Sequence, residues 1–379
     1  MIIRGAVLES TTAPAPFADS TPIVVRDLEL DAPGPHELLV RIEAAGVCHS
    51  DLSVLNGTRA RAVPLVLGHE AAGIVEEIGS DVVDVAVGDR VVMTFLPRCE
   101  NCASCASGGR TPCQPGSVAN AEGRLLDGAR RVHDGDRELN HHLGVSGFAT
   151  FAVVDQRSVV VVEPDVPAEV AALMGCAVLT GGGAVLNSGG LAAGETLIVV
   201  GLGGVGMAAA LVGMSVDGAR VIGIDANPGK LEQAASLGVP ETMSPAEVVA
   251  SGIRGDLVVE AVGRAAAFES AVALTAPGGR TVTVGLPAPG DNASVSPLAL
   301  VAEGRTIIGS YLGSSVPRRD VPMFVDLWRR GRLPVERLIS SIITLDDLNS
   351  AMDALARGDA IRQIILPTPE STASTRSTT

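Results

Sequence analysis

The chain has 379 residues, enough for more than one typical hydrophobic core, so two domains are expected. Its formal charge of −15 and its 2% aromatic content argue against a nucleic-acid or anionic-membrane partner, since phosphates repel such a surface and few rings remain for base stacking. Six cysteines are too few for a disulfide framework in a chain this long, and Met1-Ile2-Ile3-Arg4 carries no apolar leader, so a reducing, cytoplasmic setting is expected.

In the first third, apolar and polar residues alternate with period two. Leu38-Leu39-Val40-Arg41-Ile42, Gly73-Ile74-Val75-Glu76-Glu77-Ile78-Gly79 and Asp89-Arg90-Val91-Val92-Met93 read as strands punctuated by Gly, Pro and Asp. Gly46-Val47-Cys48-His49-Ser50-Asp51 and Gly68-His69-Glu70 fall within this β-rich stretch. Cys99, Cys102, Cys105 and Cys113 follow, spaced C-x2-C-x2-C-x7-C. Short loops between four thiolates let one segment wrap a zinc ion tetrahedrally, so this loop is expected to hold a structural zinc. Cys48 and Cys176 remain as an open pair that needs a histidine.

From about residue 176 the texture changes to short apolar runs at 197–200, 220–224, 257–260, 281–284 and 306–308, alternating with Ala-rich helical stretches. Strands covered by helices on both faces read as continuous apolar runs, and this alternation predicts a doubly wound α/β sheet. The stretch 196–214 is nearly uncharged, yet its glycines mark a turn rather than a membrane span. Gly201-Leu202-Gly203-Gly204-Val205-Gly206 fits G-x-G-x-x-G between the run 197–200 and a helix over 207–212, and Asp225 closes the next strand. Gly201 permits the tight turn, Gly203 lets the backbone approach a pyrophosphate, and Gly206 lets helix and strand pack closely. The helix N-terminus offers unpaired N–H groups to the phosphates. Asp225 is expected to accept from an adenosine ribose and to repel the extra phosphate of NADP, with Ala226 offering no neutralising arginine, so NAD is the expected cofactor. Helices over 321–330 and 345–357 and the segment 361–366 are expected to return to the first domain, followed by a Ser/Thr-rich tail, 367–379.

With both cysteine patterns and the nucleotide fingerprint in this order, the chain resembles the zinc-dependent medium-chain alcohol dehydrogenases. The resemblance runs from about residue 38 to 366 and rests on Gly46 to Asp51, Gly68-His69-Glu70-Ala71-Ala72-Gly73, the four-cysteine loop, Gly175-Cys176, Gly201 to Gly206, and Ile361-Arg362. It implies a GroES-like catalytic domain over 1–177, completed by 313–366, and a Rossmann NAD-binding domain over 178–312. It also implies two zinc ions per subunit, with Cys48, His69 and Cys176 holding the catalytic one. Asp51 would orient His69, and Glu70 would sit behind the metal. Zinc lowers the pKa of a bound hydroxyl, and hydride then passes between alcohol and NAD, reversibly, for a primary or secondary alcohol. Ser50 matches the hydroxyl that takes the alcohol proton, whereas Ser53 stands where several members carry a relay histidine.

By the same resemblance, His49 and Arg362 contact the pyrophosphate, Thr180 and Val205 line the nicotinamide, and Lys230 reaches the adenosine ribose. Phe95, Val118, His142, Leu143, Leu286, Tyr311 and Leu312 form a mostly apolar substrate pocket. Arg59 falls at the rim, where it could bind a substrate carboxylate, and is read as an exposed loop arginine; His36, His133 and His141 read as surface histidines. The glutathione-dependent formaldehyde dehydrogenase branch has an acid where Arg59 stands and an arginine where Ser117 stands, which disfavours a thiol-adduct substrate. A non-catalytic zinc and nucleotide scaffold is the alternative from another class, disfavoured by the complete ligand set and Ser50. The long segment 114–140 resembles that of dimeric members, so a homodimer is expected.

Overall fold

A computed structural model describes residues 1–368 and contains three sheets. The expected tail lies, from residue 369 on, outside the described residues. The 11-residue strand Glu37–Val47 organises the first half. It pairs antiparallel with Ala71–Ile78 on one side and with Phe151–Asp155 and the late strand Arg362–Ile365 on the other. Arg90–Met93, Val159–Val162 and Ile339–Ile343 complete this seven-stranded sheet. A second, six-stranded sheet carries the N-terminal strand Ile2–Leu8 beside Ile23–Leu30 and Leu65–Val66. Leu38, Val40 and Ile42 are buried, as period-two alternation in a strand with one core face requires. The register Gln363↔Val47 and Ile364↔Gly46 brings the chain's late segment back beside Cys48, so residues more than 300 positions apart in sequence become neighbours.

The third sheet is parallel. Its order is Glu241–Met243, Arg220–Ile224, Thr196–Val200, Gly255–Glu260, Thr275–Thr283, Thr306–Gly309, which in chain order is 3-2-1-4-5-6. That order reverses direction beside Thr196–Val200, and ligands of such sheets bind at the carboxyl ends of the strands there. Leu197, Ile198 and Val199 are wholly buried, consistent with helices on both faces. The stretch 196–214 is this strand, a glycine turn and the helix Gly204–Met214. Among the described residues, the helix long and apolar enough to cross a membrane is Ala168–Ser188, and 89% of its apolar window is buried inside the molecule. It is a core helix joining the two halves. Its glycines permit this. A Cβ on Gly175 would lie 2.1 Å from the Met93 carbonyl oxygen, and one on Gly181 would lie 2.2 Å from that of Val205.

Several expected elements shift. The helix expected over 321–330 runs Pro317–Arg329, because Pro317 takes the first turn and the Asp320 carboxylate accepts from the Val316 N–H. The helix expected over 345–357 divides into a 3₁₀ turn, Leu345–Asp347, and the α-helix Leu348–Arg357. His141, expected at the surface, is 2% exposed, with its ring accepting from the Arg131 N–H. His36 is half exposed, and His133 pairs with Asp31 at 2.9 Å.

Candidate metal and nucleotide site

Cys48 is the N-cap of the helix His49–Leu55, and Asp51 is its third residue. The Cys48 N–H donates to Asp51 Oδ2 at 3.0 Å, a reciprocal cap that fixes where the Cys48 sulfur points. The other Asp51 oxygen lies 2.9 Å from Nδ1 of His69. This contact assigns the ring proton to Nδ1 and leaves Nε2 free as a ligand. Cys176 lies in a π-helical turn, Met174–Val178, of the long core helix. Such turns are rare and concentrate at functional positions. Its Sγ sits 3.6 Å from His69 Nε2. One ligand atom from each of Cys48, His69, Glu70 and Cys176 lies within 4.8 Å of the others, and all four residues are buried.

The electrostatics fit a cation. Cys176 donates to Cys48 and holds its thiol well below the usual range, while Cys176 itself is pushed up. Two buried thiols in contact cannot both ionise alone, and a divalent ion between them would stabilise both thiolates. Burial disfavours the charged forms of Asp51 and His69 alike. Their mutual attraction wins, so the carboxyl is held well below its ordinary value and the imidazole well above. Glu70 is fully buried, with both carboxylate oxygens lacking a hydrogen-bond partner; burial pushes it up to about 7 against the pull of Arg362, whose Nε is 3.5 Å away.

The other cysteines also gather. Cys99, Cys102, Cys105 and Cys113 have their sulfurs within 4.8 Å of one another, and all six cysteines of the chain are free thiols. Cys99 and Cys105 Sγ are 4.0 Å apart. That is close to the roughly 3.8 Å edge of a tetrahedron with 2.3 Å arms and far from a disulfide. Backbone N–H groups of Cys105 and Gln114 hold the Cys102 thiol down to about 6, while burial pushes Cys105 up to about 12. A tetrahedral thiophilic ion fits this donor set.

A cleft of about 1010 Å³ runs from Cys48, Ser50 and Ser53 along the glycine turn to Asp225 and Lys230. Gly201 has φ +94°, which a side chain resists, and a Cβ on Gly206 would lie 1.8 Å from the Gly201 carbonyl oxygen. A Cβ on Gly203 would meet nothing within 4 Å; it would project into space open for a ligand. Asp225 accepts from the N–H groups of Leu202 and Asn227, which fixes its carboxylate at the cleft edge. Arg362 is buried, and a Cβ on Gly204 would fall 2.2 Å from its guanidinium carbon, so the guanidinium lies against the N-terminus of the helix Gly204–Met214. Burial lowers His49, and the charges of Lys230, Arg362 and Arg264 add to this against Cys48.

His49, Val205 and Leu286 also line this cleft, whereas Thr180 is buried in the adjoining helix. Phe95 and His142 pack edge-on against His69 with centroids at 5.6 and 5.3 Å, and Tyr311 packs against Phe95 at 5.8 Å. His142 Nδ1 lies 3.2 Å from Asp51 Oδ1 without being directed at it, so this approach is electrostatic rather than a hydrogen bond. Leu143 and Leu312 are buried. Val118 is 45% exposed on the helix Gln114–Ala121 and is not among the residues lining the cleft. Sequence reasoning missed Arg264, which lines the cleft behind the glycine turn; its signal was the Gly263-Arg264 pair after the strand Gly255–Glu260.

Comparison with known proteins agrees with this geometry. Residues 34–164 match the alcohol dehydrogenase GroES-like domain, and residues 204–329 match the zinc-binding dehydrogenase domain. A Drosophila melanogaster protein named alcohol dehydrogenase class-3 is 34% identical over 357 residues, 91% of this chain and 94% of its own. A solved alcohol dehydrogenase zinc-binding domain protein from Burkholderia ambifaria superposes with a TM-score of 0.90 at 31% identity, covering 97% of this chain and all of that one. Benzyl alcohol dehydrogenase from Acinetobacter calcoaceticus gives 0.88 at 28% identity, with the same coverage. Two cysteine clusters able to hold a metal, a reversed-order parallel sheet and these matches together place the chain in the zinc-dependent medium-chain alcohol dehydrogenase family.

Proposed function

We propose that the protein is an NAD-dependent alcohol dehydrogenase in which Cys48, His69 and Cys176 hold a catalytic zinc and the four-cysteine loop holds a second, structural one. The observation that carries this reading is the convergence of three buried ligand atoms at one end of a cleft whose other end is a glycine turn and Asp225. Bound there, zinc supplies positive charge that favours loss of the alcohol proton, and NAD supplies the hydride acceptor. The chain's own residues do the rest. Asp51 holds His69 in one tautomer, and the capped Cys48 keeps Ser50 at the cleft wall.

Ser50 takes the hydroxyl proton and passes it toward the cofactor ribose. Ser53 donates its hydroxyl to the His49 carbonyl at 2.9 Å, so it relays less readily than a histidine would. Oxidation at neutral pH therefore depends on buffer as proton acceptor. Val205 would frame the nicotinamide, His49 and Arg362 would hold the pyrophosphate, and Lys230 and Asp225 would bind the adenosine ribose, where a carboxylate selects NAD over NADP. The rings of Phe95 and His142 packed on His69, with Tyr311 on Phe95, support an aromatic substrate side. The benzyl alcohol dehydrogenase among the similar structures supports primary aromatic alcohols as the first substrates to try.

Residues 1–177 with 313–366 form the catalytic domain and 178–312 the cofactor domain. A homodimer is supported by the sheet edge at Thr306–Gly309 and by Leu298 and Val301, 77% and 82% exposed on the neighbouring helix Pro297–Glu303. Six free thiols support a reducing, cytoplasmic location. The test is NADH formation with a panel of primary and secondary alcohols. Turnover with NAD exceeding that with NADP is expected, and no turnover by protein that has bound zinc and NAD would overturn the reading.

A further inference from the structure

Arg59 and Arg61 lie on the turn that follows the helix His49–Leu55, held by the Arg59 N–H donating to the Ser53 carbonyl at 2.8 Å and by Gly57 at φ +76°. Arg61 is anchored by Nη1 to the carbonyl of Asn120 at 3.2 Å, and Asn120 in turn donates to the Phe95 carbonyl. Arg59 lines the cleft with Cys48, Ser50 and Ser53. Both arginines are half-buried. Among the described residues neither has a carboxylate within salt-bridge distance, and burial, with the neighbouring Arg61 charge adding to it, lowers Arg59.

The chain has 43 acidic and 28 basic residues, and arginines such as Arg137, Arg280 and Arg329 pair with carboxylates. Arg98, Arg110, Arg264 and Arg337 share the lack of such a partner among the described residues, but of these unpaired arginines Arg59 is the one placed beside Ser50 and Ser53. Like charges two positions apart on one turn, half withdrawn from water and without a carboxylate partner, disfavour each other. An anion between or beside them removes that cost. Lys230, Arg264 and Arg362 line the glycine-turn end of the cleft, whereas Arg59 follows directly on the helix that carries Ser50 and Ser53 at the Cys48 end. Arg61, through Asn120, is tied to the carbonyl of Phe95, whose ring packs on His69.

We propose that the substrate of this site carries a carboxylate, bound by Arg59 with support from Arg61, while its hydroxyl end lies at Ser50 and the Cys48–His69–Cys176 cluster. The inference rests on the dehydrogenase reading and names its substrate class: hydroxy acids and the corresponding aldehyde acids. A planar guanidinium matches a carboxylate with two parallel hydrogen bonds, which also fixes which end of the molecule enters first.

The test uses the full-length zinc-loaded enzyme with NAD and matched substrates: 4-(hydroxymethyl)benzoate against its methyl ester, and ω-hydroxy acids of increasing length against 1-alkanols of matching length. The best hydroxy acid is expected to exceed its uncharged counterpart about tenfold or more in kcat/KM. Arg59→Gln should cut that value about 10- to 100-fold, mainly through KM, with a loss for the neutral alcohol at least about tenfold smaller. Arg59→Lys, which keeps the charge without the fork, should recover part of the loss. Calorimetry of the hydroxy acid and its ester binding without NAD gives a second readout that needs no turnover and should show the same preference.

The proposal is overturned if the neutral partner is favoured at every length, if Arg59→Gln weakens both equally, or if a phosphorylated alcohol is preferred to the carboxylate. Turnover of neutral alcohols without carboxylate preference sinks this inference alone. Absence of any turnover sinks the dehydrogenase reading, and calorimetry then decides the carboxylate site independently.

Discussion

Asp51 does two jobs with two oxygens: one caps the helix that carries Cys48 and Ser50, the other orients His69. Replacing it with Asn keeps the size but removes the charge and one acceptor. Asp51→Asn is expected to weaken zinc retention at the Cys48 site about 10- to 100-fold, read by chelator competition, while the cysteine-loop metal stays. Retention of both ions at wild-type strength would show that His69 needs no orienting partner. At Ser53 the expectation runs the other way. Ser53→His supplies a ring that can both accept and release a proton at neutral pH, so it should flatten the dependence of the oxidation rate on buffer concentration. The candidate site residues were legible in sequence because each sits in a short local pattern, as in Cys48-His49-Ser50-Asp51. Arg59 was legible only as a rim residue that could meet a carboxylate, because a loop arginine is ordinarily solvated and its half-burial without an acid partner is a fact about three-dimensional neighbours.

The glycine turn and the cysteine loop are elements whose shape is set by single atoms. A Cβ at Gly206 would meet the Gly201 carbonyl oxygen at 1.8 Å, so Gly206→Ala must push the helix Gly204–Met214 off its strand. A loss of about 1–3 kcal/mol is expected from denaturant unfolding, together with weaker NAD binding by calorimetry. Unchanged stability and affinity would mean the turn is softer than its packing implies. Cys113→Ser should release one zinc per chain and lower Tm by several degrees without displacing the other ion.

The strands 197–200, 220–224 and 257–260 were readable because burial on both faces leaves uninterrupted apolar runs. The helix Ala168–Ser188 carries Gly181-Gly182-Gly183 because Phe324 and the carbonyls of Val205 and Gly313 occupy the space their side chains would take. His141, in contrast, was misread. Its burial comes from packing beside Arg131 and Ser146, which no local periodicity encodes.

At the scale of the molecule, burial gives His141 a pH signature. Its ring is held down to about 4, against 6.5 for an ordinary histidine, first by burial and then by the charges of Arg130 and Arg131. Between those values the unfolded chain takes up a proton that the folded ring refuses. Stability is therefore full above about pH 6.5 and falls as pH drops toward 4, by at most about 3 kcal/mol. His141→Gln should flatten that part of the stability–pH curve in urea titrations; an unchanged slope would assign it to other groups. Assembly belongs to this scale too. Leu298→Asp with Val301→Asp is expected to turn a dimer into a monomer in sedimentation, and a dimer that survives both would place the contact elsewhere.

Metal content read alongside activity reaches furthest, because the chemistry needs the Cys48, His69 and Cys176 atoms to share one ion. Wild-type protein purified without chelators should carry two zinc ions per chain, and His69→Ala should carry one. The variant should still bind NAD by calorimetry while losing NAD-linked alcohol oxidation. A His69→Ala protein that kept two ions, or oxidised alcohols at the wild-type rate with one, would contradict a catalytic zinc at this site.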